Sequence, residues 1–202
     1  MKRRTVLGLT LSGSLSMLAG CASQSASSDN WLPLFNGRDV NNWLRTGSQA
    51  NWRVENGVLI ADKLDGKDPS YLVTRESYGD FEIRSEFFID SETNSGIFIR
   101  AEAPETINAK TAYEVNIWDT RPDKTYGTGS IVDVAKVSPM PLAGGKWNTM
   151  IISARGPRLS VELNGIQSSA ASDSTHARGR IALQYGGPGI VKFRKVELKP
   201  LN

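Results

Sequence analysis

Apolar and polar residues alternate with a period of two along much of this chain, most densely over residues 79–119. Three runs there, Phe81–Ile89, 97–101 and 113–118, read as β-strands with two different faces. In the first, Phe81, Ile83, Phe87 and Ile89 share a side with small Ser85, opposite Glu82, Arg84, Glu86 and Phe88. In the second, Ile97, Ile99 and Ala101 oppose Phe98 and Arg100; in the third, Tyr113, Val115 and Ile117 oppose Glu114, Asn116 and Trp118. If the apolar sets share one core, Glu86, Arg100, Glu114, Asn116 and Trp118 line a single sheet surface. That inventory suits a polar, aromatic-lined groove for a hydroxyl-rich ligand. An ordinary water-facing sheet gives the same alternation.

The rest of the chain repeats the theme. Apolar runs flank Asn56-Gly57 and Asn164-Gly165, and Asn-Gly between such runs is a strong hairpin signal because both central positions of the turn need positive φ. Residues 62–70 read as a charged loop and 168–177 as a small, polar one. Long polar or Pro/Gly-rich connections span 102–112, 119–129 and 135–146, where binding groups often sit. The last strand, 190–198, loses its alternation between Phe193 and Val196, which predicts a bulge. No helical period persists over a dozen residues, so the expected fold is an all-β sandwich in one domain, residues 31–202.

The start of the chain changes the reading of charge and location. Lys2, Arg3 and Arg4 precede an uncharged, mostly apolar run that ends in Leu18-Ala19-Gly20-Cys21. This reads as a secretory signal over residues 1–20 ending in a lipobox, with Cys21 as the lipid attachment site. Arg3-Arg4 resembles a twin-arginine signal, and an ordinary Sec signal fits equally. Residues 21–30 read as a flexible tether. The expected location is the bacterial cell envelope, lipid-anchored and facing the periplasm, at the outer membrane before the inner. The chain has 24 basic and 21 acidic residues, and removing Lys2, Arg3 and Arg4 leaves the remainder balanced. No nucleic-acid partner follows from the basic pI. Cys21 is the only cysteine, so the fold is held by its core and not by disulfides. Nothing in the sequence sets the oligomeric state.

Several chemistries drop out. There is no nucleotide-binding glycine pattern and no Cys/His cluster. The only histidine, His176, reads as an exposed loop residue, which makes a Ser-His-Asp triad a poor fit. Carboxylates remain: Glu86, Glu114, Asp119 and Asp133 lie in or beside the strands of the polar face. A carboxylate pair could perform glycoside chemistry. Arg100 could serve a carboxylate or an anionic oxygen, or equally a structural ion pair. Trp118 could stack on a sugar or cap the sandwich rim.

The motifs LFNGRDVNNW (34–43), WRVENGVL (52–59), YGDFEIRSEF (78–87), NSGIFIR (94–100), YEVNIWD (113–119), TGSIVDV (128–134), GKWNTMII (145–152), LNG (163–165), GRIALQYGG (179–187) and FRKVELK (193–199) occur in order. Together they resemble the 3-keto-disaccharide hydrolase domain family. The resemblance implies a concanavalin- or laminarinase-like jelly roll of two antiparallel sheets with a carbohydrate on the concave face. It implies base-assisted elimination at the glycosidic bond of a 3-keto-glycoside, followed by hydration. It assigns acid/base roles to Glu114 and Asp119 and an oxyanion or carboxylate contact to Arg100. Asn116, Trp118 and Gln184 become ligand contacts, with Glu86 a supporting carboxylate. No cofactor is implied, because the ketone is made on another enzyme; a divalent ion held by carboxylates on this face stays open. Two positions depart from the family pattern: Asn116 stands where many relatives have Gln, and Gly186 where many have His. That second change keeps a competing reading alive, a non-catalytic glycan-binding or envelope-associated lipoprotein on the same fold.

Overall fold

The computed structural model describes Met1 and residues 30–201. The signal segment after Met1, the lipobox at Cys21 and all of the tether except Asn30 lie outside the described residues. Eleven strands make up almost all of the regular structure: β1 (Leu32–Pro33), β2 (Trp43–Glu55), β3 (Val58–Thr74), β4 (Phe81–Ile89), β5 (Asn94–Ala101), β6 (Tyr113–Ile117), β7 (Trp147–Arg155), β8 (Arg158–Leu163), β9 (Ile166–Ser172), β10 (Arg180–Gly187) and β11 (Val191–Pro200). They form a single antiparallel sheet of order β6-β5-β10-β3-β11-β4-β7-β8-β9, with β2 on β3 and β1 on β11. The sheet folds over on itself as a jelly roll of two layers.

The fold turns on β3. Its far half, Ser70 to Val73, pairs with β10, and its near half, Leu59 to Ala61, pairs with β11. The first layer is therefore β6-β5-β10-β3, the second β3-β11-β4-β7-β8-β9. Residues 62–70, expected as a loop, continue the strand, because β2 runs antiparallel to it from Trp43 to Glu55. A charged sequence is no obstacle to a ribbon that is wet on both sides. Residues 168–172 likewise belong to β9.

The inward residues of both layers meet in one core. Ile97, Ile99, Val115, Ile117, Ile181 and Leu183 come from the first layer; Phe81, Ile83, Phe87, Met150, Val161 and Phe193 come from the second. Burial of each large side chain contributes roughly 1.5–3 kcal/mol, and the period-two pattern decides which residues receive it. The expected bulge is present: the β11–β4 register shifts between Phe193 and Lys195. Both Asn-Gly turns are present, with Asn56 and Asn164 at φ 50° and 53°. Among the described residues no helix is long and apolar enough to cross a membrane.

Candidate functional site

The outer face of the first layer is where burial and polarity coincide. Register places Glu114, Phe98, Ala182 and Val73 side by side across β6, β5, β10 and β3. One step along lie Asn116, Gly96, Gln184 and Tyr71. Tyr71, Val73, Phe98 and Ala182 are buried and form a second, smaller apolar cluster, closed on one side by Ile107 and Ala112 of the 102–112 connection. The rings of Tyr71 and Phe98 meet edge to face, 5.5 Å between centroids. Gly96 keeps the middle of the wall low: a Cβ there would stand 3.2 Å from Gln184 Oε1 and 3.6 Å from Phe98 Cε2.

Glu114 stands at the edge of this apolar floor. Its carboxyl is partly buried, and no side-chain hydrogen bond holds it among the described residues. Burial pushes its pKa up to about 7; Arg121, from the loop after β6, pulls the other way, and Asp133 adds to the rise. A carboxyl poised there holds its proton about half the time near neutral pH, the condition for taking and returning protons. Tyr71 is close enough to feel the Glu114 charge. Burial raises its hydroxyl to about 12, with the neighbouring Gln184 side chain pulling the other way. Tyr71 is thus a neutral donor at working pH.

Two amide oxygens here are buried without a partner, Asn116 Oδ1 and Gln184 Oε1. Asn116 is fixed from its other end, where Nδ2 donates to the Tyr126 carbonyl at 2.6 Å. Trp118 is partly exposed just past β6; its Nε1 donates to Thr120 Oγ1 at 3.0 Å, and the Arg121 guanidinium lies 5.8 Å from its ring.

The structure does not bring the other expected residues to this wall. Arg100 has φ 53°, and β5 carries one extra residue between the pairs Phe98–Ala182 and Ala101–Arg180. This bulge turns Arg100 off the face into a cage at the end of the sandwich. It donates to the carbonyls of Gly79 (3.0 Å), Gly156 (2.8 Å) and His176 (3.0 Å) and to Asp80 Oδ1 (3.0 Å). Its side chain is 1% exposed, so it reads as structural. Glu86 lies on the outer face of the second layer, bonded to Arg194 at 2.5 Å and Lys195 at 3.3 Å. The Arg194 hydrogen bond holds its carboxyl below the usual range.

Asp119 is buried and fully engaged. Oδ1 accepts from Thr128 Oγ1 at 2.6 Å, and Oδ2 accepts from the amides of Ala143 and Gly144 at 2.9 and 2.8 Å. It ties its own loop, at Thr128, to the 135–146 connection, with both oxygens engaged in holding the two together. His176 is 4% exposed, not an open loop residue. Its Nδ1 pairs with Glu102 at 2.8 Å and its ring packs on Tyr113. At Gly186, a Cβ would come within 2.6 Å of Asn94 Nδ2, so the Asn94 amide fills the space a side chain would take. Among the described residues no group of three or more His, Cys, Asp or Glu could hold a metal ion.

Residue-type reasoning passed over Tyr71 and Phe98 as site members. Their signal was the short alternation Tyr71-Leu72-Val73, which needs the β3–β10 pairing before it points anywhere.

Residues 30–199 match the family model described as the 3-keto-alpha-glucoside-1,2-lyase-like domain. No curated protein matches the chain. Similar solved structures include a candidate glycosyl hydrolase from Parabacteroides distasonis, 19% identical, TM-score 0.71, covering 86% of this chain and 95% of that one. A Bacillus subtilis protein with a galectin-like fold is 12% identical, TM-score 0.64, over 82% and 92% of the two chains. The B. subtilis carbohydrate-binding module CBM66 is 17% identical, TM-score 0.57, over 78% and 95%. The chain belongs to the 3-keto-alpha-glucoside-1,2-lyase-like family, and its domain is of a carbohydrate-active type.

Proposed function

We propose that this member of the 3-keto-alpha-glucoside-1,2-lyase-like family is an exported, lipid-anchored enzyme that cleaves 3-keto-glycosides, with Glu114 as its acid/base. The observation that carries the reading is the unpaired Glu114 carboxyl, raised to about 7 beside an apolar floor that bears the Tyr71 hydroxyl.

A ketone at C3 of a sugar acidifies the hydrogen on C2. Glu114 takes that proton, and the electron pair of the broken C–H bond moves onto the C3 oxygen as an enolate. Tyr71, neutral at working pH, is placed to donate a hydrogen bond to such an oxygen. Collapse of the enolate restores the ketone, forms the C1–C2 double bond and breaks the bond from C1 to the leaving oxygen. The leaving oxygen takes the proton that Glu114 now carries. Water then adds at C1 and a proton returns to C2, giving the free 3-keto sugar. One carboxyl cycling between its two forms can serve both transfers, and a pKa near 7 suits that task. Trp118 at the rim offers an apolar surface to a sugar ring, with the buried Phe98 part of the floor beneath. The reading uses neither Asp119 nor Arg100.

The full-length chain should release aglycone from a 3-keto-glucoside. Wild type without release, or undiminished release by Glu114→Gln, would sink the proposal. One observation favours a second reading, a glycan-binding protein without turnover: of the expected acid/base pair, only Glu114 has a free carboxyl. Saturable sugar binding with no product, abolished by Trp118→Ala, would establish that reading instead.

A further inference from the structure

On the second layer, β7 and β8 are joined by the two-residue turn Gly156-Pro157, with Gly156 at φ 53°. Register sets Arg155 directly opposite Arg158 and Ser153 directly opposite Ser160. Side chains paired this way lie on one face, and like charges in that position repel. Both arginines are exposed, and no salt bridge or side-chain hydrogen bond holds either one among the described residues. Two acidic residues of this face, Glu82 and Glu162, form no ion pair with them. Elsewhere on the same face cations are engaged: Arg84 with Glu197, and Arg194 and Lys195 with Glu86. Ser153, Arg155, Arg158, Ser160 and Ala170 border a shallow depression of about 520 Å³, in which Ala170 of β9 keeps one side low.

We propose that this depression is a binding site for a phosphate group. Two guanidinium forks and two hydroxyls offer more donors than a carboxylate's two oxygens can accept, while a phosphate presents three or four oxygens. Planar forks suit bidentate contact with such an oxyanion. The bound charge would also cancel the Arg155–Arg158 repulsion, so the pair is better satisfied with its ligand than without it. The site lies on the layer opposite Glu114, and it stands or falls independently of the proposed reaction.

The phosphate could be borne by a sugar or by a lipid headgroup, and the test separates them. Full-length protein is titrated with inorganic phosphate and with glucose 6-phosphate at constant ionic strength. It is also sedimented with vesicles of phosphatidylcholine alone or mixed with phosphatidylglycerol. Saturable binding to at least one phosphate probe is expected, weakened roughly tenfold or more by Arg155→Gln or Arg158→Gln, and partly kept by Arg158→Lys. Free ester binding marks a soluble ligand; binding only to phosphatidylglycerol vesicles marks a headgroup. Unchanged melting curves for the variants would show that lost binding is not lost folding. Absence of binding to every probe, or binding indifferent to both Arg→Gln changes, would overturn the proposal.

Discussion

On the first layer, the outward row around Phe98 and Tyr71 is buried, and its polar members are left short of partners. Glu114 has no ion pair, and the side-chain oxygens of Asn116 and Gln184 accept nothing. On the second layer, the outward row is wet and mostly satisfied. Arg84 stacks on Trp31 at 4.6 Å while bonding Glu197, and Arg194 covers Trp147 at 4.3 Å while bonding Glu86. The same alternation built both faces. What separates them is the cover: the 102–112 connection and the loop over residues 119–135 pack against the first and leave the second open. Withdrawing a carboxyl from water without giving it a cation costs stability and shifts its titration. Proteins keep such groups where reactivity repays the cost, which is why the proposed chemistry is assigned to Glu114 and not to Glu86.

The largest effect that tests this contrast is catalytic. Glu114→Gln should cut turnover of a 3-keto-glucoside by about 10²–10⁴-fold with no loss of melting temperature, whereas Glu86→Gln should leave turnover unchanged. A melting temperature that falls with turnover would make Glu114 a structural residue. Next comes Arg100, which belongs to neither face. Arg100→Met strands Asp80 and three carbonyls and should cost roughly 3–5 kcal/mol in urea unfolding. A loss under 1 kcal/mol would return it to the list of ligand contacts.

A third effect is pH dependence. The folded protein keeps the Glu114 proton up to about pH 7, while the unfolded chain releases it near 4.5. Between those values the folded state binds more protons, so this group's contribution is best below 4.5 and declines as pH rises to 7, by about 3 kcal/mol. Wild type should therefore lose ground to Glu114→Gln over that window; parallel stability curves would remove the burial argument. The smallest effect is the stability of Glu86→Gln, expected to change by about 1 kcal/mol or less because its ion pairs are solvent-screened. A larger loss would mean the second face is less open than it looks.

The alternation at residues 81–89 and 113–117 was enough to assign strands and inward residues, and the two Asn-Gly turns set the hairpins. The family motifs supplied the jelly roll. The shared wall was harder. Glu86 and Glu114 have the same parity, yet their strands sit in different layers, and parity within a strand says nothing about layer. Arg100 has the right parity too, but one inserted residue in β5 turned it away, and no local sequence signal marks that bulge. Asp119 looked like chemistry because carboxylates do; only the amides of Ala143 and Gly144, a loop away in sequence, reveal a clamp. Tyr71 escaped notice because its partners, Gln184 and Glu114, are more than 40 residues further on.

The strand order carries a consequence for assembly. β11, the last in sequence of the described strands, lies between β3 and β4. Until residues 191–200 arrive, those two neighbours present open hydrogen-bonding edges and Phe193, Val196 and Leu198 are missing from the interior. A nascent chain of this kind has little to gain from closing early, since its most distant pairings come last. Residues 191–200 act as a keystone, and the domain cannot close until they are in place.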